Sequence, residues 1–141
     1  MPPLRYLLDT NIVSAVIRQP DCAVARRLAG MSRETFCISI VVAAELRFGV
    51  FRKASAKLAK QVETVLEGID IIPMEEPVDQ HYGRIRAELS RLGLPIGQND
   101  LFIAAHARAL GLVLVTDNVR EFARVPDLVI ENWLDTPADG S

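Results

Sequence analysis

The sequence has few cysteines and histidines, no long apolar run and no excess of positive charge. Its 141 residues include only two cysteines, Cys22 and Cys37, which stand apart and belong to no motif. We therefore expect two reduced thiols of a cytosolic protein rather than a disulfide or a zinc site. The two histidines, His81 and His106, also lie in no metal-ligand spacing, and we expect structural roles for both.

Long apolar runs and an excess of positive charge are absent as well. The longest uncharged stretch, residues 35–44, is well short of the ~18 apolar residues that cross a membrane. No secretory signal is recognisable at the N-terminus, so we expect the protein in the cytoplasm. The net charge of −2 and the pI of about 5.7 differ from the pI above ~9 of typical nucleic-acid binders. Acids that hold cations still count as negative, however, so a phosphodiester substrate is not excluded.

The composition is that of a globular protein, with 50% hydrophobic and 24% charged residues. A chain of this length can bury a sizeable core without a disulfide or a structural metal. We assign residues 1–135 to a single domain. Residues 136–141 are small and polar, and we expect them to form a flexible C-terminal tail.

Short apolar runs alternate with helical patterns along the chain. The predicted strands are 4–8, 34–39, 69–72, 112–115 and 128–130. The predicted helices are 11–17, 22–28 (capped by Asp21), 40–53, 55–67, 77–92, 98–110 and 119–123. Because the strands are apolar throughout, both faces of their sheet must be covered. The pattern predicts a three-layer α/β/α fold with a central, mainly parallel sheet of four to five strands.

Four carboxylates could meet at one edge of this sheet. Asp9 and Asp117 each directly follow a predicted strand, so in a parallel sheet both lie at its carboxyl edge. Glu45 lies in the helix after the second strand, in apolar surroundings where an uncompensated charge is costly. Asp100 lies in the first turn of the helix before the fourth strand.

Three of these acids also have local explanations. Asp9 could be a helix N-cap, Asp100 a first-turn acid favoured by the helix dipole, and Asp117 part of a turn. Glu45 has no such explanation. Four carboxylates in one crevice repel each other, and a divalent cation removes that conflict. An oxygen-only site without histidine or cysteine favours Mg²⁺ or Mn²⁺.

Four stretches contain these acids: 7–11 (LLDTN), 43–46 (AAEL), 96–107 (IGQNDLFIAAHA) and 114–118 (LVTDN). In their order, spacing and residue identities, these stretches resemble PIN-domain proteins, in particular the VapC toxins of type II toxin–antitoxin pairs, including their FitB-like branch. The resemblance covers residues 4 to about 133. It implies a PIN-like fold and a Mg²⁺- or Mn²⁺-dependent endoribonuclease, which hydrolyses RNA through a metal-activated water and leaves 5′-phosphate and 3′-hydroxyl ends.

The resemblance also implies roles for individual residues. The residues that become catalytic metal ligands are Asp9, Glu45, Asp100 and Asp117. The residues beside them that could orient the ligands are Thr10, Asn11, Thr116 and Asn118. With Asp9 on the metal, helix capping passes mainly to Thr10 and Asn11. The alternative function is a non-catalytic PIN-like scaffold that binds RNA or a protein.

Partners are implied in the same way. Basic residues after Glu45 are candidates for the RNA path: Arg47, Arg52, Lys53 and Lys57. The alternative for them is a solvated helix face, and without interleaved aromatic residues base stacking is not predicted. The resemblance implies a cognate VapB-like antitoxin whose charged segment enters the acidic crevice. Apolar surface after the second strand predicts a homodimer, which the antitoxin assembles further; no membrane partner is expected.

Overall fold

The computed structural model describes residues 3–134, so the predicted tail at 136–141 lies outside the described residues. Within the described part, five strands form one sheet: β1 (Tyr6–Leu8), β2 (Phe36–Ser39), β3 (Asp70–Ile72), β4 (Val113–Val115) and β5 (Ile130–Glu131). The same part contains seven α-helices: α1 (Thr10–Arg18), α2 (Ala23–Ala29), α3 (Ile40–Lys53), α4 (Ala56–Glu67), α5 (Val78–Leu92), α6 (Gln98–Leu110) and α7 (Val119–Phe122). A 3₁₀ turn at Arg33–Thr35 precedes β2.

Strand β1 lies at the centre of the sheet. The strand order is β3-β2-β1-β4-β5, and each of these pairs is parallel. Leu7 pairs with Cys37 on one side and with Leu114 on the other, and all three side chains are completely buried. Helices cover both faces of the sheet. The predicted three-layer α/β fold with its parallel sheet is therefore confirmed.

Local capping signals account for several helix ends. Ser39 and Ser55 cap α3 and α4, accepting hydrogen bonds from the backbone N–H of Val41 and Leu58, both at 3.1 Å. Such caps stabilise a helix by roughly 1 kcal/mol. Gly93 ends α5 in the left-handed region, with φ of 71°, a conformation that glycine adopts without steric cost.

Most predicted boundaries differ from those of the structure by one or two residues. The predicted cap of α2 and the predicted position of the last strand are wrong. The cap of α2 is Cys22 rather than Asp21, because the Cys22 sulfur accepts from the backbone N–H of Ala25 at 3.5 Å. The last strand is Ile130–Glu131 rather than 128–130, because its pairing with β4 begins where Ile130 meets Leu114. Sequence alone does not show where a neighbouring strand starts.

One of the two cysteines and one of the two histidines lie in the core. Cys22 and Cys37 are free, and burial raises the pKa of Cys37 to about 12. His106 is buried, and its Nδ1 lies 2.9 Å from the Ser39 hydroxyl. Trp133 packs edge-on against Tyr6 of the sheet, with ring centroids 5.0 Å apart. Among residues 3–134, no helix is long and apolar enough to cross a membrane.

Candidate active site

The ends of β1 and β4 bring the first carboxylate into place. The backbone N–H of Asp9 donates to the Val115 carbonyl at 3.0 Å, so the two strand ends are tied together. Asp9 is only 4% exposed. Its side chain accepts a hydrogen bond from Thr116 and another from the backbone N–H of Ile12 at 3.0 Å. A buried carboxylate is thus fixed in direction by two donors.

Asp9 is also the N-cap of α1. The expectation that capping passes to Thr10 and Asn11 is wrong, because both residues lie inside the first turn of α1. The Oδ1 atom of Asp9 accepts the hydrogen bond from Ile12, and the same carboxylate is close enough to Asp117 and Glu45 to feel their charges. The pKa of Asp9 is raised to about 6, mainly by burial and also by the charges of Asp117 and Glu45, while its two hydrogen bonds act in the opposite direction.

Glu45 is held by side chains from two other helices. The Thr10 hydroxyl of α1 donates to its Oε1, and the Asn99 amide of α6 donates to its Oε2 at 3.2 Å. Glu45 is half-buried. This network accounts for a charged residue in the apolar α3, since both carboxylate oxygens have partners.

Asp100, in the first turn of α6, lies close to the same group of acids. Its pKa is raised to about 7, first by burial and next by a hydrogen bond and repulsion from Glu121. The charges of Glu45 and Asp9 contribute to the same increase. The structure therefore brings Glu45 close enough to raise the pKa of Asp9, and both acids close enough to raise the pKa of Asp100.

Glu121 on α7 is an acid of this group that sequence reasoning missed. Its carboxylate also accepts from the backbone N–H of Gly97 at 3.1 Å and from the Asn118 amide. In the sequence it is indistinguishable from an ordinary acid in the first turn of a short helix. Its place on α7, the short helix that begins just after Asp117, is the one available signal.

Asp117 occupies the outer side of the group. It is exposed, and its Oδ1 accepts from the Asn11 amide at 3.3 Å. The backbone N–H of Asn118 donates to the Thr116 hydroxyl at 2.9 Å. Each of the polar neighbours named from the sequence thus bonds a carboxylate: Thr10 bonds Glu45, Asn11 bonds Asp117, Thr116 bonds Asp9 and Asn118 bonds Glu121.

The acids do not form a closed metal cage. Within residues 3–134, no three aspartate, glutamate, histidine or cysteine side chains are gathered tightly enough to hold an ion as they stand. The chemistry of the donors nevertheless suits a cation. All are oxygens, and the raised pKa values of Asp9 and Asp100 reflect negative charge that burial and repulsion leave uncompensated.

Two cavities meet at Thr10 and Glu45. The first, the basic cavity, has a volume of about 220 Å³. It is lined by Thr10, Ser14, Ile17, Arg18, Glu45, Leu46, Gly49, Arg52, Lys53, Leu58 and Val62. The second, the aromatic cavity, has a volume of about 590 Å³. It is lined by Thr10, Val41, Ala44, Glu45, Phe48, Asn99 and Phe102.

The structure separates the four basic residues named from the sequence. Arg52 and Lys53 line the basic cavity beside Glu45, together with Arg18, which the sequence did not single out. Arg47 instead forms an ion pair with Glu63 of α4. Lys57 lines a different, largely apolar groove between α1 and α4. Sequence proximity to Glu45 therefore did not identify which cations share its cavity.

The sequence model of the PIN domain matches residues 6–128. The chain belongs to the PIN-domain family. Its relatives include ribonuclease VapC2 of Rickettsia felis, which is 40% identical over 91% of this chain and 97% of that protein. Another is the tRNA(fMet)-specific endonuclease VapC of Shigella flexneri, 38% identical over 92% of this chain and 98% of that protein.

Solved structures place the same PIN fold in toxin–antitoxin complexes. VapBC2 from Rickettsia felis, bound to a DNA fragment from its promoter, superposes with a TM-score of 0.85 at 37% identity. FitAcB from Neisseria gonorrhoeae gives a TM-score of 0.79 at 30% identity. Each alignment covers 92% of this PIN-domain chain and 99% of the matched chain. The suspected family, VapC with its FitB-like branch, is confirmed.

Proposed function

We propose that this PIN-domain protein is a metal-dependent endoribonuclease and the toxin of a toxin–antitoxin pair. The observation that carries the proposal is the electrostatic influence of Glu45 on Asp9, and of both on Asp100, beside the carboxyl ends of β1 and β4. Relatives that match over nine-tenths of the chain are named ribonucleases. The reaction is hydrolysis of an RNA phosphodiester bond.

The residues that would hold the cation are Asp9, Glu45, Asp100 and Asp117, with Glu121 as an added candidate. Their donor atoms are carboxylate oxygens, which supports Mg²⁺ or Mn²⁺ over softer metals. Such an ion supplies Lewis acidity, activating water and offsetting negative charge at the cleaved phosphate. A cation would also offset the burial and the repulsion that raise the pKa values of Asp9 and Asp100.

The chain's own polar side chains then keep the acids in position. Thr10 and Asn99 hold the two oxygens of Glu45, so the carboxylate cannot rotate away from the site. Thr116 holds Asp9, and Asn11 holds Asp117. Removing a hydrogen-bond partner of a metal ligand typically lowers metal affinity or activity by roughly 10- to 100-fold.

RNA is held by cations of the basic cavity. Arg18, Arg52 and Lys53 surround a space that opens onto Glu45 and Thr10, so phosphates next to the cleaved bond would meet them. Arg47, paired with Glu63, and Lys57, in a separate groove, are weaker candidates for direct contact. Two relatives are named tRNA(fMet)-specific endonucleases, which makes initiator tRNA the first RNA to test.

The partner of this toxin is a VapB-like antitoxin that blocks the acidic crevice in the cytoplasm. The superposed VapBC and FitA–FitB structures support this assignment. A homodimer is proposed as well, on the apolar residues that follow the second strand in the sequence. A light-scattering mass equal to the monomer at micromolar concentration would contradict the dimer.

The decisive experiment combines cleavage with metal titration. Wild-type protein and Asp100→Asn are incubated with initiator tRNA and total bacterial RNA, with Mg²⁺, Mn²⁺ or EDTA, and RNA ends are sequenced. We expect metal-dependent cuts with 5′-phosphate ends in the wild type alone. A non-catalytic scaffold would leave RNA intact and show no calorimetric Mn²⁺ binding that Glu45→Gln abolishes.

A further inference from the structure

Phe48 is an exposed aromatic side chain beside the acidic cluster. It follows Glu45 by three residues on α3, a spacing that places both on one face of the helix. Its side chain is 64% exposed. The sequence predicted no stacking platform, because aromatic and basic residues do not interleave; the fold nevertheless places this ring at the site.

The aromatic cavity joins this ring to the acids. Phe48 and Phe102 form apolar walls, while Thr10, Glu45 and Asn99 form the side that faces the acidic cluster. A volume of about 590 Å³ is within the range of small-molecule sites. A planar, partly polar group would fit such a lining better than a purely aliphatic one.

We propose that the aromatic cavity binds a nucleobase of the RNA next to the cleaved bond, stacked on Phe48. This inference rests on the proposed ribonuclease function and specifies how that site recognises its substrate. Every nucleobase offers a π-face, and stacking on an aromatic side chain tolerates any base sequence. The Asn99 amide has a second N–H and a carbonyl oxygen, beyond its bond to Glu45, that can meet a base edge.

Arg52 links the base to the phosphates. Its guanidinium carbon lies 5.6 Å from the centroid of the Phe48 ring, and the same side chain lines the basic cavity. A strand with one base on Phe48 would therefore pass Glu45 and Thr10 and reach the cations of the basic cavity. The two cavities form the two ends of one RNA path across the acids.

An apolar protein partner is the competing occupant, because phenylalanine is also enriched in protein interfaces. The neighbouring Phe51 separates the two cases. It lies three residues further along α3 and is 78% exposed, but it is not among the residues that line the aromatic cavity. A protein interface on α3 would use both rings, whereas a base in the cavity would use Phe48.

The test compares Phe48→Ala, Phe48→Leu, Phe48→Trp and the matched control Phe51→Ala. The substrate is an oligoribonucleotide spanning the cleavage site that wild-type protein makes in initiator tRNA or total RNA. We expect Phe48→Ala to lower kcat/KM by roughly 5- to 150-fold, the range for losing one stacked base. Phe48→Leu should lose nearly as much, since it keeps bulk without a π-face, and Phe48→Trp should retain activity. Phe51→Ala should match the wild type.

An abasic substrate identifies the base. Removing the base at the stacked position should lower wild-type kcat/KM to the level of Phe48→Ala, with no further loss when both changes are combined. Thermal melting checks that every variant is folded.

Unchanged kinetics in Phe48→Ala, or full activity in Phe48→Leu, would overturn the inference while leaving the ribonuclease function intact. A loss shared by Phe51→Ala, with a lower light-scattering mass, would overturn it in favour of a protein interface. If wild-type protein cleaves no RNA, the proposed function itself fails.

Discussion

The carboxyl groups of Asp100 and Glu121 hydrogen-bond each other, although one lies at the start of α6 and the other on α7, beyond β4. Two carboxyl groups can share a hydrogen bond only when one carries a proton. Together with burial, this contact raises the pKa of Asp100 to about 7. Without a metal, the Asp100–Glu121 pair therefore holds a proton near neutral pH. A bound cation would balance the negative charge of these acids instead.

The stability of the metal-free protein should fall as pH rises from about 4 to about 7. The folded state raises the pKa of Asp100 from its ordinary value of 3.8 to about 7, so it binds more protons than the unfolded state across this window. Asp100→Asn should therefore be the more stable protein at pH 8. We expect a gain of about 1 to 3 kcal/mol, because one pKa unit corresponds to about 1.36 kcal/mol and solvent screening reduces the full value.

Urea unfolding at pH 5 and pH 8 in EDTA measures this effect. Added Mn²⁺ should restore the wild type at pH 8, because a ligand that binds only the folded state stabilises it. An equal loss of stability between the two pH values in wild type and Asp100→Asn would contradict this prediction, because the loss would then belong to other groups such as Asp9.

Asp9→Asn should abolish RNA cleavage without unfolding the protein. Asparagine caps a helix about as well as aspartate, so the hydrogen bond to the Ile12 N–H and the stability of α1 should be retained. The substitution removes the negative charge of the Asp9 side chain, which is the charge that would hold the cation. We expect activity to fall by more than the roughly 10- to 100-fold typical of an outer partner of a metal site.

The measurement pairs an RNA cleavage assay with a thermal melt of Asp9→Asn. A melting temperature within a few degrees of wild type, about the shift that 1 kcal/mol produces, is the folding control. Retained metal-dependent cleavage in this variant would remove Asp9 from the catalytic group.

Thr10→Val should weaken metal binding through Glu45. Valine keeps the shape of threonine but cannot donate to Glu45 Oε1, so the carboxylate loses one of its two orienting partners. We expect a loss of roughly 10- to 100-fold in Mn²⁺ affinity or activity. Thr10→Ser restores the hydroxyl and should recover most of the loss, which calorimetry with Mn²⁺ can measure. A Thr10→Ser protein as weak as Thr10→Val would contradict the orienting role.

Arg52→Ala should weaken RNA binding more than Arg47→Ala. Arg52 lines the cavity that opens onto Glu45, whereas Arg47 is engaged with Glu63. Fluorescence anisotropy in EDTA at several salt concentrations separates charge effects from other losses. The slope of log affinity against log salt should become shallower by about 0.7 for each phosphate of a single strand that the variant no longer neutralises. Identical slopes for the two variants would place the RNA elsewhere.

Much of the fold could be predicted from local sequence because its signals are local. Unpatterned apolar runs predict buried parallel strands, serines begin α3 and α4, and Gly93 ends α5. The sheet edge with Asp9 follows from the same reasoning, since an acid after a buried parallel strand can lie only at the carboxyl edge. The resemblance to VapC toxins added the roles of the acids.

The sequence by itself thus determined the strands, the helices and the four acids that follow or flank them. Only the tertiary structure decided which residues share the site. Glu121, Asn99 and Arg18 reach it through packing between elements far apart in the chain, while Arg47 pairs with Glu63 instead. The reason is physical: periodicity and capping depend on neighbours in sequence, whereas repulsion between carboxyl groups and the lining of a cavity depend on distances that only the folded chain sets.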